Sequence, residues 1–433
     1  MLLRALSLIL LLLLSLSAVT KPSAQDAALA LTRVNANDGK PFRVEVSRRG
    51  GAPEVRPDGS AYFLGGDQFT EDPPVWYIDG KVVSPVLGYK RGNSKRVSLE
   101  LVQAAGATFI TYVKDGVNEF WRLKGAEAEQ VRLNNGKAFS MRARITRGGD
   151  RVFLYDTDYE GRNSLYEIKG TTAEPLVLSD KANHGGASYA WWIDDRLLVA
   201  FYSAGTYDFY WLKEGVFVPC WERNGVESYD QQVERILSVR AAGHLYFNII
   251  HNDKSAGIWT VAGDELKPVR HSQASKIYPW DDGARAAANT NGLYFVAENK
   301  AGTTQVFAAD GSTVTPLKIG DAPLKAGFVH CRGGAVLAGD AMIDGTTVTL
   351  LPAPEPGQAA YELAAHVGDK DLIQQGDQLL AYRAGELTKQ PTPDGAPENF
   401  GRIVTAWNVG SKHTYVVERV GGDLLEFRLW SLD

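Results

Sequence analysis

The residues whose types best suit chemistry gather in two long stretches, WERNGVESYDQQ (221–232) and HSQASKIYPWDDGA (271–284). Together they supply Trp221, Glu222, Arg223, Tyr229, Asp230, His271, Tyr278, Trp280, Asp281 and Asp282, with His184 from a preceding stretch. Flat aromatic rings beside carboxylates suit a sugar, whose CH face stacks on a ring while polar groups take its hydroxyls. The same mixture serves a peptide or a protein partner. Carboxylates with an imidazole also suit acid–base work. A glycosidase needs two carboxyl groups roughly 5–9 Å apart, and Asp230 with Asp281 or Asp282 are the candidates. His271 or His184 would be the acid–base partner in a polysaccharide lyase. The plainer reading of each residue is a solvated loop position.

A metal is suggested at one place. Asp156, Asp158, Glu160 and Gly161 lie within one turn, and Glu167 is twelfth counting from Asp156. Oxygen ligands at this spacing suit Ca²⁺, although the helices of an EF-hand are missing. A solvated strand turn is the competing reading. The chain has no Gly-x-Ser-x-Gly elbow, no His-Glu-x-x-His and no phosphate-binding Gly-x-x-x-x-Gly-Lys-Ser/Thr loop. His184-Gly185-Gly186 reads as a tight turn. Only two cysteines occur, Cys220 and Cys331, and the repeat register places them on different strands, so two buried thiols are expected rather than a disulfide.

Residues 1–24 read as a secretory leader: Arg4 precedes an apolar run from Leu6 to Leu16, too short to span a bilayer, and small residues follow. Its removal takes Arg4 and Lys21 and no acid, which moves the net charge from -5 to -7. That balance argues against a nucleic-acid partner. A secreted or periplasmic location follows, with residues 25–433 as one domain and no transmembrane segment in the mature chain.

The elements that must position these residues repeat. Apolar strand cores centre near Phe63, Phe109, Phe153, Val199, Phe247, Phe295, Val336, Leu372 and Tyr415, mostly 42 to 48 residues apart. A second strand precedes each core, as in SMRARITRGG and RILSVRAAG, and two more follow. Asp-Gly turns such as Asp310-Gly311 separate them. Four antiparallel strands repeated every ~45 residues predict an all-β fold, a β-propeller. One blade has two apolar faces and buries each on a neighbour. Eight blades are expected, with seven and nine open. The last repeat lacks an outer strand, which an N-terminal strand within 28–34 or 42–46 should supply. Gly, 44 of 433 residues, marks the turns.

The copies at 151–180 and 292–320 resemble the ELWxxDGT repeats of secreted bacterial β-propellers. The matching residues are Leu165-Tyr166 then Gly170-Thr171, and Val306-Phe307 then Asp310-Gly311-Ser312. Phe120-Trp121 and Ile258-Trp259 keep an apolar-Trp pair at the same place. The arrangement is also similar to propellers of the TolB and prolyl-oligopeptidase kind. The resemblance implies the fold and export, and transfers no catalytic residue.

In a propeller, the connections from one blade's outer strand to the next inner strand share a face with the turns between second and third strands. Both long stretches are such connections. Between His184 and Tyr229, 12 of 46 residues are aromatic. Phe201, Phe209 and Trp211 are expected in the core, whereas Trp221 and Tyr229 lie in a connection. The preferred function is an exported, monomeric binding module for a glycan, peptide or protein, without a cofactor other than the Ca²⁺ suggested above. A carbohydrate-active enzyme and a structural envelope protein are the alternatives.

Overall fold

The computed structural model describes residues 31–432 apart from 36–38, 40–42, 47–53, 57, 65–74, 80–81, 88–99, 105, 115–116, 141–142, 149–150, 158–162, 180–186, 204–205, 215, 222–231, 270–273, 281–284, 333, 368–369, 384, 391–401, 410–412 and 421–424. The described residues form strands and turns, and no helix among them is long and apolar enough to cross a membrane.

The strands follow one another as antiparallel meanders that we number sheet 1 (54–85), 2 (100–133), 3 (144–179), 4 (187–221), 5 (233–268), 6 (286–316), 7 (330–350), 8 (361–389) and 9 (402–432). All nine core residues picked from the sequence lie on the second strand of their sheets. The described residues therefore hold nine such meanders, because each core strand carries one of its own. Sheet 9 has three strands from the C-terminal end of the chain and is completed from the N-terminal end. Leu31–Arg33 and Arg43–Val46 both pair antiparallel with Leu425–Leu432, Leu31 opposite Leu432 and Val46 opposite Leu425. Both candidate N-terminal segments fill the missing place.

Strand alternation decides how the sheets stack. On the second strand of sheet 4, Leu197, Val199 and Phe201 face sheet 3, where they meet Phe153, Tyr155 and Leu165. Leu198 and Ala200 face sheet 5, where Leu245, Phe247 and Ile249 lie. Every consecutive pair from sheet 1 to sheet 8 shares such a buried cluster. A strand apolar on both faces has no solvent side, so burial of each face on a neighbouring sheet is its stable solution. This is a β-propeller by strand order, pairing and stacking.

The meander also fixes two ends for each sheet. Turns between first and second strands and between third and fourth strands lie at one end, here the hairpin end. Turns between second and third strands and the connections between sheets lie at the other, the loop end.

Candidate functional site

Most of the residues picked from the sequence fall outside the described residues. His184, Glu222, Arg223, Tyr229, Asp230, His271, Asp281, Asp282 and Asp158 are among these. Trp221 closes the strand Val216–Trp221, opposite Phe209. Two others are described in full. Trp280, expected in an exposed loop, is 7% exposed and belongs to the core between sheets 5 and 6, with Ile258, Ile277 and Phe295. Its backbone N–H donates to Asn248 Oδ1 at 3.1 Å. The indole fills the seam, with its Nε1 buried and without a hydrogen-bond partner among the described residues. Tyr278 is half-buried, and its hydroxyl is hydrogen-bonded to Glu298 Oε1. Arg285 lies 4.3 Å and Lys276 5.5 Å from its ring centroid. Its hydroxyl is thus occupied, and the bond to the carboxylate raises its pKa above the usual tyrosine value.

Asp156, the described half of the suggested Ca²⁺ pair, is buried. Ser140 donates to both of its oxygens, from the backbone N–H at 3.1 Å and from the hydroxyl. A carboxylate held in this way ties sheets 2 and 3 together. Among the described residues no group of three or more His, Cys, Asp and Glu is placed to hold a metal. Cys220 and Cys331 are free thiols. Burial raises both, Cys220 to about 11.

In the aromatic segment of sheet 4 the expected core half is found, whereas Trp221, expected in a connection, ends a strand and Tyr229 lies outside the described residues. Phe201, Phe209 and Trp211 are fully buried. A run of rings reaches from them to the surface at the loop end: Trp191 stacks on Tyr189 at 5.6 Å, Tyr189 meets Tyr207 at 5.6 Å, and Tyr207 meets Tyr202 at 5.0 Å. Tyr202 is 41% exposed.

The opposite, hairpin end holds a site absent from the sequence expectations. A cleft of about 560 Å³ opens between sheets 7 and 8. Sheet 8 contributes His366, Asp371 and Tyr382, which stand in one row across three strands: His366 pairs with Asp371, and Asp371 with Tyr382. Sheet 7 contributes Ala335, Met342, Asp344, Thr347 and Thr349. His366 Nδ1 is 2.6 Å from Asp371 Oδ1. An ionised carboxylate only accepts, so Nδ1–H is the donor and a neutral imidazole presents Nε2 as an acceptor. The side chains are 35% and 18% exposed, which leaves this pair open to the cleft and partly shielded from water.

The register shows why the row is unusual. The residue at Asp371's position on the second strand faces the preceding sheet. In sheets 2 to 7 it is Thr108, Val152, Leu197, Leu245, Leu293 or Val336, each at most 7% exposed. Sheet 8 puts a carboxylate where the repeat otherwise puts core. A local departure of this kind from the packing rule is a mark of function. The sequence carries the signal: KDLIQ stands where the other copies read RLLVA, HLYFN and GLYFV. A register comparison of the second strands reveals it, whereas a search for long connections does not.

A second hollow of about 520 Å³ adjoins this cleft. It is formed by the first turns of sheets 5 and 6, and Gly334 borders both spaces. Gly334 has φ of +102°, a conformation that favours glycine, and nothing lies within 4 Å of where a Cβ would stand. The turns are fastened to each other. Ala242 N–H donates to Asn289 O at 3.2 Å, and Asn289 Nδ2 to Gly334 O at 2.7 Å. The two hollows lie side by side at the hairpin end, with Gly334 as their shared border.

No protein-family model matches the chain, and no curated protein matches it. Solved structures that it resembles include the Dos1 propeller, with 10% identity, 93% of this chain and 95% of that one covered, and a TM-score of 0.44. The β-propeller domain of the Trilobed protease from Pyrococcus furiosus has 15% identity, coverage of 63% and 82%, and a TM-score of 0.39. A putative TolB from Agrobacterium tumefaciens has 14% identity, coverage of 50% and 79%, and a TM-score of 0.30. These likenesses are remote, and the fold rests on the strand order and pairing described above.

Proposed function

We propose that this protein is an exported β-propeller binding module, a secreted or periplasmic bacterial protein of the ELWxxDGT-like kind, whose groove at the hairpin end holds an extended peptide or protein segment. The observation that carries this reading is the cleft between sheets 7 and 8, with its polar row set into an otherwise apolar seam and a second hollow beside it. Concave sites with a few convergent polar groups are the usual form of a ligand site. A rigid scaffold presenting its turns supports binding without further moving parts. A peptide suits the cleft better than a sugar, because its walls are aliphatic and hydroxyl-bearing, with Tyr382 the one aromatic residue among its described lining.

Export rests on the leader at residues 1–24 and the single-domain reading on the repeat across 25–433. The glycan reading is a second one, favoured by the run Tyr189, Tyr207 and Tyr202 that emerges at the loop end. Peptide and glycan arrays probed with residues 25–433 and with Thr347→Trp separate the two. Thr347 is exposed on the cleft wall, so the indole blocks the cleft without entering the core. Peptide binding that Thr347→Trp abolishes supports the groove. Peptide binding that is unchanged removes the groove, and glycan binding lost in Tyr202→Ala transfers the site to the loop end. N-terminal sequencing of the protein recovered outside the cytoplasm tests the leader.

A further inference from the structure

We infer that the cleft between sheets 7 and 8 takes the cationic side chain of a lysine or arginine in the ligand, an assignment that rests on the groove reading above. The charged groups offered to the cleft are carboxylates, beside hydroxyls that both donate and accept. Asp371 has His366 as its one partner among the described residues, which leaves a carboxylate oxygen to bind. With Nδ1–H given to Asp371, the neutral form of His366 offers Nε2 as a second acceptor. Asp344, 2.9 Å from the donating Asn291 Nδ2, adds a second carboxylate from the facing sheet. No lysine or arginine is among the described residues lining the cleft. Lys370 and Arg383 are one residue out of phase with the row, and alternation turns them to the other face. Arg332 pairs with Ala335 and so stands on the cleft's face of sheet 7, on its innermost strand, beyond the residues that line the cleft.

The walls fit the rest of such a side chain. Ala335 and Met342 are apolar and line the same cleft from sheet 7. A lysine or arginine lays its aliphatic stem along apolar surface and keeps its charged head among polar groups. A stem over Ala335 and Met342 carries the head toward Asp371 and Asp344. A neutral side chain gains hydrogen bonds but no charge pairing from two carboxylates, and an acidic one is repelled. Selection by charge also explains why the repeat gives up a core aliphatic at this one register.

The test uses residues 25–433 and immobilised hexapeptide sets with degenerate flanks and a fixed central lysine, arginine, acetyl-lysine or glutamate. Lysine and arginine sets are expected to be retained about tenfold better than acetyl-lysine, and the glutamate set not at all. Asp371→Asn should remove the preference for lysine over acetyl-lysine. Asparagine keeps the size and shape of Asp371, and an unchanged melting temperature checks that the variant folds. Equal retention of lysine and acetyl-lysine, abolished by Thr347→Trp, overturns the charge assignment and leaves the groove standing. Failure of every set, or retention indifferent to Thr347→Trp, overturns both.

Discussion

The seam between sheets 4 and 5 and the seam between sheets 7 and 8 are built from the same repeat and end differently. The first is filled with large rings. Trp191 meets Phe247 edge-on at 4.7 Å, Trp191 stacks with Phe209 at 5.9 Å, and Trp211 donates its indole N–H to Asp264 O at 2.9 Å. The second is filled by Leu337, Leu351, Leu363, Ile373 and Leu380 away from the hairpin end, and opens toward that end into the cleft. Sheets 1 to 3 show a third solution, a backbone seal at the rim. Leu87 N–H donates to Ala126 O at 2.7 Å and Ala128 N–H to Leu87 O at 2.8 Å. Next along, Arg132 N–H donates to Thr171 O at 2.9 Å and Asn134 N–H to Ala173 O at 3.1 Å. Stacked sheets leave a wedge-shaped gap, and rings or backbone bonds close it. Where small residues such as Ala335, Thr347 and Thr349 stand instead, the gap remains as a ligand-sized space.

That contrast can be broken from either side. The largest effect is expected from emptying the filled seam: Trp211→Ala should cost about 3–5 kcal/mol, read from denaturant midpoints. Met342→Ala, on a wall that already borders open space, should cost toward the low end, about 2 kcal/mol. Equal losses would mean that the seams are equally well filled. Trp280→Ala belongs with Trp211→Ala, as a core deletion.

Ala128→Pro removes the rim donor to Leu87 O, with an expected loss of about 1–3 kcal/mol. An unchanged melting temperature would show that the backbone seal contributes nothing. The most informative variant restores the repeat. Asp371→Leu should fill the open seam as its counterparts do, with stability unchanged or raised by about 1–2 kcal/mol, and should end peptide binding. A large loss of stability would show that the His366–Asp371 pair is structural.

The smallest effect concerns Cys220, which is packed beside the filled seam. Burial raises its thiol from 9.0 to about 11. The unfolded chain releases that proton first, so between pH 9 and 11 the folded state binds more protons and stability falls as pH rises. Cys220→Ser should flatten this decline in pH-dependent melting.

The fold was legible because it depends on a period. Alternating apolar residues recur at each second strand, and the missing outer strand after LLEFRLWSLD announces the N-terminal partner. The site was legible only in part. Loop length and aromatic content led to Trp280, yet a tryptophan beside Asp-Asp-Gly is written the same way whether it is exposed or buried under a seam. Asp371 escaped notice because a single carboxylate beside a hydrophobic run looks like an ordinary strand end. Its meaning comes from what six other sheets put at that register, and from the sheet that faces it. For Asp156, likewise, nothing in the sequence announces that Ser140, 16 residues earlier, holds both of its oxygens.

The pairing of Leu31 with Leu432 makes the first described strand and the last one neighbours. Closing a loop of some 400 residues costs only about 2 kcal/mol more than closing one of ~45, because the entropy grows with the logarithm of length. The penalty is one of time rather than of equilibrium. Local meanders assemble as the chain becomes available, whereas sheet 9 waits for both ends. Until then Leu425–Leu432 presents an unpaired edge, the kind of strand that recruits other chains. The interval before closure is therefore when the molecule is most exposed to aggregation, and the slowest folding phase should be the one that trimming residues 31–46 eliminates.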